Sequence, residues 1–231
     1  RNLRLCIFNS CVKMLKVYVD MMSQPSRAVL AFCKLNDIPH EVVLTDIAKG
    51  LNRTPSYLAI NPAGQVPAIE DGDLKLAEGH AILAYLATTR NVADHWYPKD
   101  VKARAIVNQY LHWHHTQLRY AARLVFTLVL GPKLGMPAEH WRVEEAEFVL
   151  KKALDLMERW LTKTRFLTGP APSIADISAV CELAQLQLID YDLSKWPKVK
   201  AWFDSIYAWP QVVEVHVILS KVLAKRAQPK L

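Results

Sequence analysis

Glycine is scarce in this chain, 7 of 231 residues, and no glycine-rich phosphate loop occurs, so a nucleotide cradle of that type is excluded. Cysteine is sparser still, with four residues. Cys6, Cys11, Cys33 and Cys181 form no Cys-x-x-Cys pair and no framework spacing, which argues against a disulfide scaffold and for reduced thiols in a cytosol-like compartment. Cys33 and Cys181 fall in apolar helical patterns and read as small core residues. No long apolar run exists. The longest, Leu124–Leu130, is far short of the roughly 20 residues that a membrane-spanning helix needs, so a membrane is not an expected partner. Nor is there a stripe of interleaved aromatic and basic residues of the kind that binds single-stranded nucleic acid, so no nucleic-acid partner is expected. His112-Trp113-His114-His115 has the look of a metal cluster, but no carboxylate or cysteine stands at ligand spacing, and no metal is expected.

What is present is ordinary for a globular protein: 52% hydrophobic and 22% charged residues, in a chain long enough for one large or two small domains. The net charge of +7 is scattered over the chain, with a loose cluster at Lys221, Lys225, Arg226 and Lys230, and reads as solvated surface. Residues 1–13 carry no acidic side chain and precede Met14. They lack the parts of a signal peptide and are set aside as an extension of unknown role, so the compact protein is expected to begin at Met14 or Leu15. The C-terminal Pro229-Lys230-Leu231 is similar to a peroxisomal tripeptide but has Pro where that signal has Ser, leaving the cytoplasm as the expected compartment with the peroxisome as the alternative.

Two patterns divide the chain. In the first part, Lys16–Asp20 and Glu41–Thr45 are β-branched strands flanking a helix from Pro25 to Asn36 with Val29, Phe32 and Cys33 on its apolar stripe. This predicts a right-handed βαβ unit with parallel strands. A long polar connection, Asp46 to Pro62, precedes a third strand at Gln65–Ile69, whose proline suits a strand start and a cis peptide. Asp71-Gly72 is a hairpin signal, Leu74–Leu76 the returning strand, and Glu78 opens a helix with Ala81, Ile82, Tyr85 and Leu86 inward. The first unit is thus β-α-β then β-β-α over 14–90, with a linker at 91–98.

From Lys99 onward no strand pattern remains. One helix is expected over Lys99–Leu130, stopping at Gly131-Pro132, and a second over Ala138–Lys163 with Val143, Phe148, Leu150, Leu154, Met157 and Leu161 inward. Ser173 and Asp176 make a capping box for a helix to Ile189. Pro197 opens another that ends at Trp209-Pro210, and Val212–Ala224 is the last. The fold class is therefore an α/β N-terminal domain followed by an all-helical domain over 99–231.

The stretch Ser23-Gln24-Pro25-Ser26-Arg27 stands between the first strand and the first helix. Pro25 suits a first helical position, which puts Gln24 near the N-cap and Ser23 just outside. A hydroxyl there faces unpartnered N–H groups and the positive end of the helix dipole, a place that stabilises an anion. The same serine could also simply end the strand or cap the helix.

At this point the chain resembles the glutathione transferases, the theta class most closely. The resemblance covers about 15–220 and rests on separated motifs in order: Ser23-Gln24-Pro25-Ser26-Arg27-Ala28-Val29; Asn61-Pro62 with Gln65-Val66-Pro67-Ala68; Leu76-Ala77-Glu78-Gly79-His80-Ala81-Ile82; Trp96-Tyr97-Pro98 before Ala103-Arg104; and Phe166-Leu167-Thr168-Gly169 leading to Ser173-Ile174-Ala175-Asp176. It implies a thioredoxin-like first domain that binds glutathione as co-substrate and a helical domain that carries the site for an apolar electrophile. By resemblance, Ser23 is the thiol-activating hydroxyl. Val66, before the cis-proline Pro67, pairs with the cysteinyl backbone of glutathione, and Gln65 lies beside it. Glu78 and Gly79 grip the γ-glutamyl end, Asn52 contacts the glycyl end, and Arg119 faces the site from the second domain. A homodimer is also implied.

The residue types suit the chemistry. A free thiol has a pKa of about 8.5, and the thiolate is the nucleophile. Serine is too weak an acid to serve as the base, but a hydrogen bond donated to the sulfur anion lowers its pKa. Two departures from the family pattern stand out. Gly79 replaces the usual serine, which removes one hydrogen bond to the γ-glutamyl carboxylate, worth about 0.5–1.5 kcal/mol, so weaker glutathione binding is expected. Asn52 stands where animal theta enzymes have His, and their site-covering C-terminal segment has no counterpart before Leu231, so an open site tolerant of bulkier substrates is expected. Two functions compete: a transferase with a possible peroxidase activity, since both chemistries use one thiolate, and a transferase-like binding or assembly module without catalysis.

Overall fold

The computed structural model describes residues 14–227; the extension at 1–13, with Cys6 and Cys11, and the tripeptide at 229–231 lie outside the described residues. The first part is a four-stranded sheet in the order β2-β1-β3-β4, formed by β1 (Leu15–Val19), β2 (His40–Leu44), β3 (Ala68–Asp71) and β4 (Leu74–Ala77). β1 pairs parallel with β2 in the register Val17↔Val42, as a right-handed crossover requires, and antiparallel with β3. The hairpin turns at Gly72, whose φ of +63° a side chain would resist. The third strand starts later than its sequence suggests. Gln65–Pro67 is not paired, because the β3–β4 ladder begins at Ala68↔Ala77, one residue after the cis Val66-Pro67 bond.

Helix α1 (Gln24–Leu35) is buried far beyond the expected stripe: every residue from Ser26 to Cys33 is inside, because the sheet lies on one side and the helical domain on the other. The long polar connection is less irregular than expected, with a 3₁₀ turn at Leu51–Arg53 and α2 (Pro55–Leu58), a single turn capped by Thr54. Helix α3 (Gly79–Thr89) buries Ile82, Leu83 and Leu86, while Ala81 faces out.

In the second part all the described elements are helical. The single helix expected over 99–130 is instead α4 (Val101–Thr116), a break at Gln117–Arg119, α5 (Tyr120–Val125), a π-helical turn at Phe126–Leu130 and the short α6 (Gly131–Lys133). The chain thus runs through Gly131-Pro132 rather than stopping there. Pro132 has no N–H to return to the ladder, and the turn before it widens. α7 (His140–Lys163) is the longest element and buries Ala146, Leu150, Ala153, Leu154, Met157 and Leu161. Phe148 is not inward as expected. It is 60% exposed, with the Lys152 ammonium 4.2 Å above its ring. α8 (Ile174–Leu183) is wholly buried and tightens into a 3₁₀ segment over Ala184–Ile189. α9 (Pro197–Tyr207) comes next. The last expected helix is two, α10 (Pro210–Val215) and α11 (Val217–Ala227), the former opening at Pro210 itself. Trp196 and Trp202 are core residues, as are Cys33 and Cys181. α1 packs on α8 and α10, so one continuous apolar core spans both parts.

Candidate active site

Ser23 is itself the N-cap of α1, so the helix starts one place earlier than Pro25 suggests, with Gln24 already helical. The strand ends at Val19, and Asp20 organises the turn into the helix: its carbonyl accepts from Ser23 N–H at 3.0 Å and its carboxylate accepts from Met22 N–H at 2.8 Å and Ile47 N–H at 3.0 Å. This turn, which commits Asp20 to local backbone, displaces Ser23 from strand end to cap. The Ser23 hydroxyl accepts only a long bond, 3.4 Å, from Ser26 N–H, and among the described residues it donates to nothing. A weakly engaged hydroxyl at the positive end of a 12-residue helix is a donor available to an anion.

The other predicted residues are reached from Ser23 through a short chain of contacts. Pro25 lies against Gly79: a Cβ on Gly79 would sit 2.8 Å from the Pro25 Cβ. Glu78, the N-cap of α3, is exposed and held at φ +69°, a left-handed conformation rare outside glycine that turns the chain sharply from β4 into α3. Ala77, just before it, pairs with Ala68, which follows cis Val66-Pro67. Gln65 is exposed, and its carbonyl is pinned by Tyr57 Oη at 2.5 Å and Asn61 Nδ2 at 2.8 Å, which fixes the approach to the cis bond. Asn52 is buried, and its amide donates to the Gly64 carbonyl at 2.7 Å. It is therefore engaged in holding the loop before Gln65, with Gly64 at φ +64° beneath Arg53.

Arg119 comes from the second domain, at the α4–α5 break, paired with the buried carboxylate of Glu182 at 2.6 Å and leaving 23% of its side chain exposed. Burial would raise the Glu182 carboxyl, but Arg119 and the hydrogen bond with His114 outweigh it and hold the carboxyl below its usual range. Glu182 also accepts from Ala122 N–H at 3.2 Å, which explains why the helix is broken just before. The histidine cluster is an inter-domain packing unit. His114 stands 4.8 Å from the ring of His80 of α3, and His115 stands 4.5 Å from it. Burial, then the neighbouring charges, push His80 down to about 2, and burial lowers His114 and His115, so the cluster is neutral. No group of His, Cys, Asp and Glu suited to a metal ion occurs among the described residues.

Sequence reasoning missed Arg27 and Gln185. Arg27 is fully buried, donating from Nη1 to the Met21 carbonyl at 2.9 Å and from Nη2 to the Cys181 carbonyl at 3.4 Å. Gln185 donates to the Met22 carbonyl at 2.7 Å. A charged residue on an otherwise apolar helical run was the available signal for Arg27. None marked Gln185.

Residues 14–88 match the N-terminal domain of glutathione S-transferases and residues 123–210 match the C-terminal domain. The chain is 49% identical over 220 residues to glutathione S-transferase T1 of Arabidopsis thaliana, covering 90% of each chain. Among solved structures it is similar to human glutathione transferase theta-2 in complex with glutathione and an unknown ligand (35% identity, TM-score 0.84, 93% and 92% coverage). It is also similar to a human theta-class enzyme in complex with the glutathione conjugate of 1-menaphthyl sulfate (36% identity, TM-score 0.85, 94% and 92% coverage). With both domain matches in chain order, a shared fold and this level of identity along nearly its whole length, the chain belongs to the glutathione S-transferase family, with theta-class members among its relatives.

Proposed function

We propose that this protein conjugates glutathione to apolar electrophiles, with Ser23 donating a hydrogen bond to the thiolate. The observation that carries the reading is the Ser23 hydroxyl: capping α1, bonded only at 3.4 Å to Ser26 N–H, and next to Pro25, which abuts Gly79. Glutathione would lie with its γ-glutamyl end at Glu78 and the Gly79 N–H, its cysteinyl backbone on Val66 beside cis Pro67 and Gln65, and its glycyl end toward Asn52. The exposed carboxylate of Glu78 suits the ligand's ammonium group. The theta-2 relative whose structure holds glutathione supports the choice of ligand.

The helix dipole and the Ser23 hydrogen bond both favour the charged sulfur. The thiolate attacks an electrophilic carbon, a thioether forms, and the leaving group departs with its electron pair. Reduction of an organic hydroperoxide uses the same thiolate, with a second glutathione supplying the remaining electrons. The partly exposed Arg119 is the group we place on the second-substrate side. A homodimer in the cytoplasm is the proposed setting. No described helix is long and apolar enough to cross a membrane.

Thiolate absorbance of bound glutathione against pH, in wild type and Ser23→Ala, tests this. The wild type should ionise the ligand about two units below the free thiol, which corresponds to about 2.7 kcal/mol. Ser23→Ala should return it to near the free value, with turnover sharply reduced and glutathione affinity within a few-fold. The missing hydroxyl at Gly79 favours the second reading, a binding or assembly module. Glutathione that fails to bind, or binds with an unshifted thiol, would establish that reading and remove the catalytic one.

A further inference from the structure

α8 and the 3₁₀ segment that continues it are largely buried, yet one side of this helical run is polar: Ser178 and Glu182 of α8 and Gln185 of the 3₁₀ segment, spaced by four and then three residues, are 5%, 1% and 5% exposed. Buried polar groups carry a cost unless each is hydrogen-bonded, and leucines here would bury more apolar area without it. Each of these groups is satisfied, and each by a different part of the candidate site. Ser178 Oγ and His80 Nε2 are 2.7 Å apart, and His80 directly follows Glu78-Gly79. Glu182 holds Arg119. Gln185 Nε2 holds the carbonyl of Met22, the residue before Ser23. The Cys181 carbonyl adds a fourth tie through Arg27, whose other nitrogen holds the Met21 carbonyl.

Met21 and Met22 therefore present successive carbonyls, each gripped from the helical domain or by a residue tied to it. Ser23 is bonded through its own N–H and carbonyl to Asp20 and Arg27, so a displacement of Met22 passes directly into the position of its hydroxyl. Apolar contacts would let the two domains slide, whereas hydrogen bonds fix a register. We infer that the polar side of α8 and its 3₁₀ continuation sets the register of the glutathione site, with Gln185 a positioning residue for Ser23 through Met22 and Ser178 a positioning residue for Glu78-Gly79 through His80. This rests on the glutathione site proposed above. It adds that two parts of that site are aligned independently from one continuous stretch of the other domain, α8 and the 3₁₀ segment after it.

The two contacts serve different tasks, so their loss should read out differently. Thiolate absorbance against pH and the Kd for glutathione are measured on wild type, Gln185→Met and Ser178→Ala. Gln185→Met should raise the pKa of the bound thiol by about 0.5 unit or more, about a threefold loss of thiolate below that pKa, with Kd within twofold of wild type. Ser178→Ala should leave the thiol pKa in place and weaken glutathione binding by about threefold or more, the scale of one lost hydrogen bond. Gln185→Asn, one methylene shorter, reports on the same contact if the methionine variant does not fold. Variants that shift both quantities together, or neither, against a wild type with a lowered thiol pKa would overturn this inference and leave the function standing. A wild type with an unshifted thiol would overturn both.

Discussion

At Gly79 the packing seen in the structure opposes the binding role proposed for it. Its N–H opens α3, and the space where a side chain would sit is taken by Pro25, 2.8 Å from an ideal Cβ. A serine here would add a hydroxyl to the γ-glutamyl subsite proposed above but would press on Pro25, at the start of the helix that Ser23 caps. Gly79→Ala isolates the packing effect. Ala gains up to about 1 kcal/mol of helix propensity over Gly, while overpacking costs about 1–3 kcal/mol. Crowding against a proline ring at the start of a buried helix should win, so the variant is expected to be less stable by about 1 kcal/mol in urea unfolding. A variant more stable than wild type would mean that α1 and α3 separate freely at this point.

At the scale of elements, the loop before α8 is fixed by a single carboxylate. Asp176 Oδ1 accepts from Leu167 N–H and from the Trp202 indole N–H, both at 2.9 Å, and Oδ2 accepts from Ser173 N–H at 2.9 Å and its hydroxyl at 3.1 Å. Asp176→Ala leaves two backbone N–H groups and an indole N–H buried without this acceptor. At about 1–3 kcal/mol each the loss should be about 4 kcal/mol in urea, while Asp176→Asn, which keeps one oxygen, should lose less than half of that. The capping box itself was legible in the sequence, because Ser173 and Asp176 stand three apart before an apolar run. So were the two-part architecture and the order of strands and helices, since strand and helix periods differ sharply. The break in 99–130 was not legible. The apolar period runs on unbroken there, and the helix is interrupted by Glu182, some 60 residues away, taking Arg119 and Ala122 N–H. Phe148 was misplaced for a similar reason: its spacing suits the core, but it lies on the outer side of α7 under Lys152. Within the candidate site, the cis Val66-Pro67 bond, the helix opening at Glu78 and the placing of Ser23 at the start of α1, one position off its cap, follow from local chain signals, while the pairing of Glu78 with Gly79 came from the family resemblance. Gln185 was not legible, because a polar side chain buried by a distant part of the chain looks in sequence like surface, whereas Arg27 was marked only by being a charge on an apolar helical run.

The whole molecule carries the consequence of burying histidines neutral at the junction of its two parts. His216 is fully buried against Tyr207, and burial together with the Arg27 charge pushes it down to about 4, while His80 is pushed down to about 2. In the unfolded chain both return to about 6.5. Above that pH neither state binds the extra proton and the histidines contribute nothing to pH dependence. Below it the unfolded chain takes up protons that the folded chain refuses, so stability falls as pH falls, by about 1.4 kcal/mol per unit for each histidine, and for His216 the fall ends near its folded value of about 4. Glu182, held below its usual range, adds a loss of the same sign at still lower pH. Urea unfolding at fixed protein concentration should give a stability at pH 5 about 4 kcal/mol below that at pH 7.5 from His80 and His216 together. His216→Asn is the control: whatever its stability at pH 7.5, its decline to pH 5 should be shallower than wild type by about 2 kcal/mol. Parallel declines would mean that His216 is protonated in the folded protein, and hence that the buried Arg27 beside it is less confining than its surroundings imply.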